Sequence, residues 1–277
     1  MPSPHGSPWL LRPARQRFAR GYTPLLHEHR HALKSSVKAL MDFGILRQGK
    51  GQVLRTVTAK ETVWVLLRGS VEITSAAGRV EVTRTSLFDE APTVLHAGAG
   101  EAVTLRSLGA DTEWAVVAAT NERLRGARLY SPADVANEDR GAGLAQDACR
   151  RTVRTVFDYS TQKDSQLVVG EVVNRAGRWS SYPPHHHPQP EVYHYRFTEP
   201  QGYGHAELGD EVVKVREGDS TLIPGGLDHA QVAAPGYGMY YLWIVRHLPR
   251  RPYKGFTFTP DHTWLLDSKN QGWKPSV

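Results

Sequence analysis

The chain lacks three things: cysteine beyond a single residue, long apolar runs, and acid at its start. Cys149 is the only cysteine among 277 residues. An internal disulfide is therefore excluded, and a reducing, cytoplasmic setting is the expectation. No run approaches the ~18 apolar residues of a membrane-crossing helix, so no membrane partner is expected. The first twenty-odd residues hold Arg12, Arg15, Arg17 and Arg20 and no acid, the composition of a targeting peptide. Pro2, Pro4, Pro8 and Pro13 interrupt any helix there, so residues 1–40 read as an N-terminal extension, partly flexible. The net charge is +6, but the excess is scattered over residues 12–21, 149–154 and 246–254. No long basic block interleaved with aromatics exists, so no nucleic-acid partner is expected. Small anionic substrates are a simpler use for scattered arginines.

What is present is a run of short strands. "VLRTVT", "TVWVLLRGSVEITS", "RVEVTRTSLF", "AVTLRSL" and "EWAVVAAT" are rich in Val, Thr and aromatics and punctuated by glycine. A polar stretch, "SPADVANED" (131–139), reads as a linker whose Ser131 could cap a short helical turn. A second series follows: "RTVRTVFDY", "SQLVVGEVV", "EVYHYRF", "YGHAEL", "EVVKVREGDSTLIP" and "GMYYLWIV". The chain is expected to be all-β, with one β-domain over residues 41–130 and another over 131–277. The segment "FTFTPDHTWLL" (256–266) is expected to pack back on the second.

Histidine concentrates in the second series, in "WSSYPPHHHPQPEVYHYRF" (179–197). Residues two apart in a strand share a face, so His185 and His187 point together, and Glu191 keeps their parity. His186 and His194 fall on the other face and read as non-ligands. Two imidazoles and a carboxylate suit Zn, Mn, Fe or Co. One divalent ion is expected, Zn first, with Mn or Fe as alternatives. A further ligand must come from a distant strand. "GDSTLIPGGLDH" offers His229 at the end of a G-x5-P-x-G-x2-H run. His27, His29 and His31 also alternate but lack such partners and read as a solvated face. "AKETVWVLLRGS" (59–70) holds no histidine, and His96 stands alone. The first domain is thus expected to be metal-free, supporting the second and offering contacts for a homo-oligomer should one form.

The H-x-H-x3-E and G-x5-P-x-G-x2-H runs, in that order, are similar to the two motifs of the cupin barrels. The resemblance implies a bicupin, two double-stranded β-helix (jelly-roll) barrels, with His185, His187, Glu191 and His229 binding one metal in the second. The wording around the site is more specific. "LVVGEVVNRAGRWSSYPPHHH", "EVYHYRF", "PQGYG", "EDRGAG" (138–143), "APGYGMYYLWIV" and "PDHTW" resemble the 5-deoxy-glucuronate isomerases of inositol catabolism, related to the 5-keto-4-deoxyuronate isomerases. The resemblance is close over residues 120–266, loose over the first barrel and poor over the first 40 residues. Two departures stand out. The family's longer acidic insert after the histidine pair is reduced to "PQP" (188–190). "PGGLDH" is one residue longer than the usual loop.

The resemblance implies a metal-dependent aldose–ketose isomerase of a sugar acid, converting 5-deoxy-D-glucuronate to 5-dehydro-2-deoxy-D-gluconate. The metal would act as a Lewis acid and a base would move a proton between neighbouring carbons. Glu191, Tyr193 and Tyr195 are the expected catalytic set. A substrate carboxylate favours an arginine: Arg140, Arg150, Arg151 and Arg196 qualify. Arg140, in "RGAG", and Arg196 are preferred, with Tyr182 beside them, and Asp228 is expected either to support His229 or to be a turn residue. The same ligand set would serve an Fe-dependent dioxygenase, and a non-catalytic sugar-binding cupin is a further alternative.

Overall fold

The structure is a computed structural model describing residues 7–13, 18–28, 38–267, 269–270 and 272–275. In the first half, one sheet runs in the order Ala127–Tyr130, Val94–Ala97, Glu61–Ser75, Asp111–Ala119, Asp42–Gly49, Gly21–Leu26. The far end of Glu61–Ser75 pairs with Gly78–Arg84 and with Ala102–Ser107, which pairs in turn with Val53–Val57. One long strand thus serves both walls of a barrel. Its alternation follows the pleat. Trp64 and Leu66 pack inside with Leu105 and Trp114, while Val63, Val65 and Leu67 face outward into a different core.

The second half repeats this plan with two facing sheets. A seven-stranded sheet runs Leu10–Leu11, Ser220–Ile223, Glu191–Phe197, Met239–Arg246, Leu167–Asn174, Arg151–Phe157, Ala136–Arg140. A five-stranded sheet runs Glu211–Arg216, Tyr203–Leu208, His229–Ala233, Trp179–His186, Thr257–Phe258. Tyr193, Tyr195, Phe197 and Tyr241 point between them. Val192, Tyr240, Leu242 and Ile244, on the opposite face of the same strands, join Phe43, Ile45, Val63 and Val117 of the first half in one shared core. These central strands are buried on both faces, which is why they read as continuous apolar runs.

Polar groups are embedded in that contact. Glu171 accepts from Arg84 on both oxygens at 2.8 Å and from the Tyr240 hydroxyl at 2.7 Å, with Arg154 at 3.4 Å. His194 lies against Phe18 and Phe43, its Nδ1 2.8 Å from Ser220 Oγ. His96, which stands alone in the sequence, is buried, 2.7 Å from Glu61 and stacked on Phe157.

The N-terminal extension was expected to be partly flexible; among its described residues, Leu10–Leu11 and Gly21–Leu26 are strands. Leu10–Leu11 extends the second barrel's sheet, and Arg12 clasps Asp219 at 2.7 and 2.9 Å. Gly21–Leu26 edges the first barrel, with its irregularity after Pro24, where an edge tolerates proline. Edge pairing needs only main-chain partners, so no apolar period announced it. Residues 1–6, 14–17 and 29–37 lie outside the described residues, His29 and His31 among them. His27 is exposed. The linker is half strand: Ser131 caps the turn Pro132–Asp134, but Ala136–Arg140 pairs with Arg151–Phe157. Between Tyr130 and Ala136 the chain passes from one sheet to the other. No helix among the described residues is long and apolar enough to cross a membrane.

Candidate metal centre and cavity

His185 is the penultimate residue of the strand Trp179–His186 and pairs directly with His229 across the sheet. Glu191 begins the strand on the facing sheet. The "PQP" turn folds the chain from one sheet to the other, and the "PGGLDH" turn packs on it. A Cβ on Gly225 would lie 1.9 Å from Pro188 O, and the Gly226 N–H donates to His187 O at 2.8 Å. The glycine pair therefore lets the two motif loops touch.

The result is a convergence. His187, Glu191 and His229 bring donor atoms within 4.8 Å of one another, all three buried. His187 Nε2 lies 3.1 Å and His229 Nε2 3.4 Å from the same oxygen, Glu191 Oε2. The Nδ1 of His229 donates to Leu227 O at 3.0 Å. Its Nε2 must then carry the lone pair, yet that atom is buried with no hydrogen-bond partner. A lone pair facing a carboxylate calls for a cation between them. His185 is outside this tightest set, but its ring lies 4.4 Å from that of His229. Its Nδ1 faces Ser181 O at 3.3 Å, which aims Nε2 elsewhere. Such outer contacts fix tautomer and ring direction. Burial, reinforced by His229, pushes the His185 ring down to about 3, so it stays unprotonated at neutral pH. Burial alone would raise the Glu191 carboxyl, but the His187 and His229 rings beside it hold it down at about 2. The donors fit a divalent metal ion.

A cavity of about 560 Å³ opens beside His185, His187 and Glu191, within the usual range for small-molecule sites. Tyr193 lines it, and burial raises its hydroxyl well above the ordinary range, so it remains a neutral donor. Ser181, at φ +53°, sets its hydroxyl 3.4 Å from Tyr193 Oη and 3.3 Å from Tyr241 Oη. Tyr182 and Arg140 also line the cavity. Arg140 is exposed and its fork is taken by Glu138 at 2.9 and 3.0 Å.

Three assignments need correction. Tyr195 keeps the inward parity but sits deeper, closed off by Thr221 at 3.0 Å and Gln231 at 2.8 Å, so it does not reach the cavity. Arg196 takes the opposite parity and pairs with Glu113 of the first barrel and with Glu217, over the Phe18 ring. It cannot meet a substrate at this site. Asp228 accepts from His186 Nδ1 at 2.7 Å rather than supporting His229. Arg150 is engaged by Asp139. Residues not preferred from the sequence complete the wall: Arg151, Tyr241, Trp243, and the strap Tyr253–Lys254–Gly255–Phe256. The strap's Phe256 ring lies 4.1 Å from His185. Trp243 reaches the cavity over Gly170, where a Cβ would lie 2.3 Å from the indole.

The sequence profile of the KduI/IolB family matches residues 10–265. A 5-deoxy-glucuronate isomerase from Geobacillus kaustophilus is 35% identical over 246 residues, covering 82% of this chain and 86% of its own length. Its counterpart from Bacillus subtilis is 26% identical over 278 residues, covering 94% and 99%. An IolB-like protein of known structure from Salmonella typhimurium superposes with a TM-score of 0.72 at 23% identity, covering 82% of this chain and 90% of its own. An oxalate decarboxylase from Lactobacillus farciminis superposes at 0.61 with 12% identity, covering 87% and 85%. At these identities the structures speak to fold alone: the two halves are jelly-roll barrels of the cupin type.

Proposed function

Because the chain belongs to the KduI/IolB family, we propose that it isomerises 5-deoxy-D-glucuronate to 5-dehydro-2-deoxy-D-gluconate in the myo-inositol catabolism of the cytoplasm. The observation that carries this reading is the meeting of His187, Glu191 and His229 at the wall of a sugar-sized cavity, in a chain whose matched relatives are isomerases. The relatives favour isomerisation over a dioxygenase or a silent cupin.

His187, Glu191 and His229 would hold one divalent ion, Zn first, with His185 completing the set. When bound, the ion acts as a Lewis acid, polarising the aldehyde and the neighbouring hydroxyl and so acidifying the carbon between. That matters because Glu191, its carboxyl held below the usual range by the imidazoles beside it, is ionised but little basic. Its imidazole contacts run through Oε2. Oε1 is assigned the proton, taking it from the carbon beside the aldehyde and returning it to the former aldehyde carbon. Tyr193 Oη donates a hydrogen bond to the enediol oxygens and passes the hydroxyl proton from one oxygen to the other, assisted by Ser181. The net change moves two hydrogens and needs no other reactant.

The test is proton NMR of purified protein with 5-deoxy-D-glucuronate. The aldehyde signal should disappear as the keto product grows, with up to one solvent deuterium entering at the former aldehyde carbon in D2O, according to how far the proton carried by Glu191 exchanges. Persistence of the aldehyde with metal-loaded protein would overturn the reading.

A further inference from the structure

The cavity holds cations apart from the metal-type cluster. Arg140 is neutralised by Glu138 on both arms of its fork. Lys254 is exposed at the rim over the Tyr159 ring and offers only a point charge. Arg151 differs. Arg151, Val153 and Thr155 form the inward row of one strand, and all three line the cavity. Its Nη1 donates to Cys149 O at 2.8 Å, which ties one arm of the guanidinium. No carboxylate pairs with it among the described residues, whereas Arg84, Arg140, Arg150, Arg154 and Arg196 each meet one.

The backbone is shaped around this side chain. Gly141, at φ +81°, lies so close that a Cβ would sit 2.4 Å from Cys149 O and 3.1 Å from Arg151 Nη1. The "RGAG" stretch therefore packs on Arg151 and leaves the rest of its fork to the cavity. Its charge reaches the Tyr241 hydroxyl, which touches Ser181, whose carbonyl in turn orients His185. The cationic and metal-type ends thus share one wall.

We propose that Arg151 is the anion anchor of the cavity, taking the substrate carboxylate while the aldehyde end meets the metal-type cluster, and so sets the selectivity for sugar acids over neutral sugars. This assignment rests on the sugar-acid reading of the cavity. A planar fork matches a carboxylate in two parallel hydrogen bonds, which an ammonium cannot do.

The experiment compares wild type, Arg151→Gln and Arg151→Lys on 5-deoxy-D-glucuronate and on its uncharged analogue 5-deoxy-D-glucose. Metal content and folding are checked in parallel, and calorimetric titration measures D-glucuronate and D-glucose binding. Arg151→Gln should lower kcat/KM for the acid about 100-fold, mainly through KM, and change that for 5-deoxy-glucose less than about 3-fold. Arg151→Lys should fall between, since charge returns without the fork. Equal losses on acid and neutral sugar, or a wild type that binds glucuronate no better than glucose, would overturn the assignment. A wild type inactive on 5-deoxy-glucuronate, whose glucuronate affinity still drops about tenfold in Arg151→Gln, would remove the proposed reaction and leave the anion site standing.

Discussion

Substituting Glu171 by Gln tests whether the two barrels are clamped by a buried charge. Glu171 sits on the strand whose inward residues Val168 and Val172 line the cavity, and it points the other way, into the contact with the first barrel. Two arginines, Arg84 and Arg154, and the Tyr240 hydroxyl converge on its carboxylate, and all are almost completely buried. An amide keeps the shape, but it turns one acceptor into a donor against a guanidinium and leaves two buried cations without an anion. Removing one partner of a buried ion pair costs about 3–5 kcal/mol, and that range is the expected loss. Urea unfolding followed by tryptophan fluorescence reads it as a lower midpoint at unchanged slope. The cavity wall should loosen too, lowering kcat/KM while metal content holds. A loss below about 1 kcal/mol in Glu171→Gln would refute the clamp.

At the metal-type cluster, His187→Ala and His229→Ala should each abolish stoichiometric metal by elemental analysis and lower kcat more than about 1,000-fold. Tyr193→Phe should keep the metal and cut kcat about 100-fold. Tyr195→Phe, shut off behind Thr221 and Gln231, should leave kcat within about 3-fold and cost about 1 kcal/mol of stability. An equal effect of the two tyrosines in steady-state assays would contradict the difference in depth. Burial holds the His194 ring at about 3, below its ordinary 6.5, so the unfolded chain binds the proton more readily. Its contribution to stability is complete above about pH 6.5 and falls as pH drops from there toward 3, by at most about 5 kcal/mol. Stability curves measured from pH 7 to 4 should show a shallower acid limb in His194→Gln, and superimposable curves would exclude the effect.

What could be read in the sequence follows from what parity and motif spacing encode. The strand pleat has a period of two, so the alignment of His185 with His187, and of Glu191 with Tyr193, was legible in "HHHPQPEVYHY". So was the rejection of His194, which lands in the contact between barrels. Parity gives a face but not a depth. Tyr193 and Tyr195 share a face, yet only the first meets the cavity, because Thr221 and Gln231 from two other strands close over the second. Parity was also available for Arg196, whose even position sets it opposite Tyr195, and its preference as a substrate residue ignored that signal. Arg140 drew notice through the glycines beside it, and those glycines serve a neighbour: Gly141 opens space for Arg151, eleven positions from Arg140 and directly paired with it across two strands. A glycine marks where backbone must come close, and what approaches it is settled by pairing between strands. Wherever the site depends on such pairing, single-chain spacing points to the segment and misses the residue by one strand.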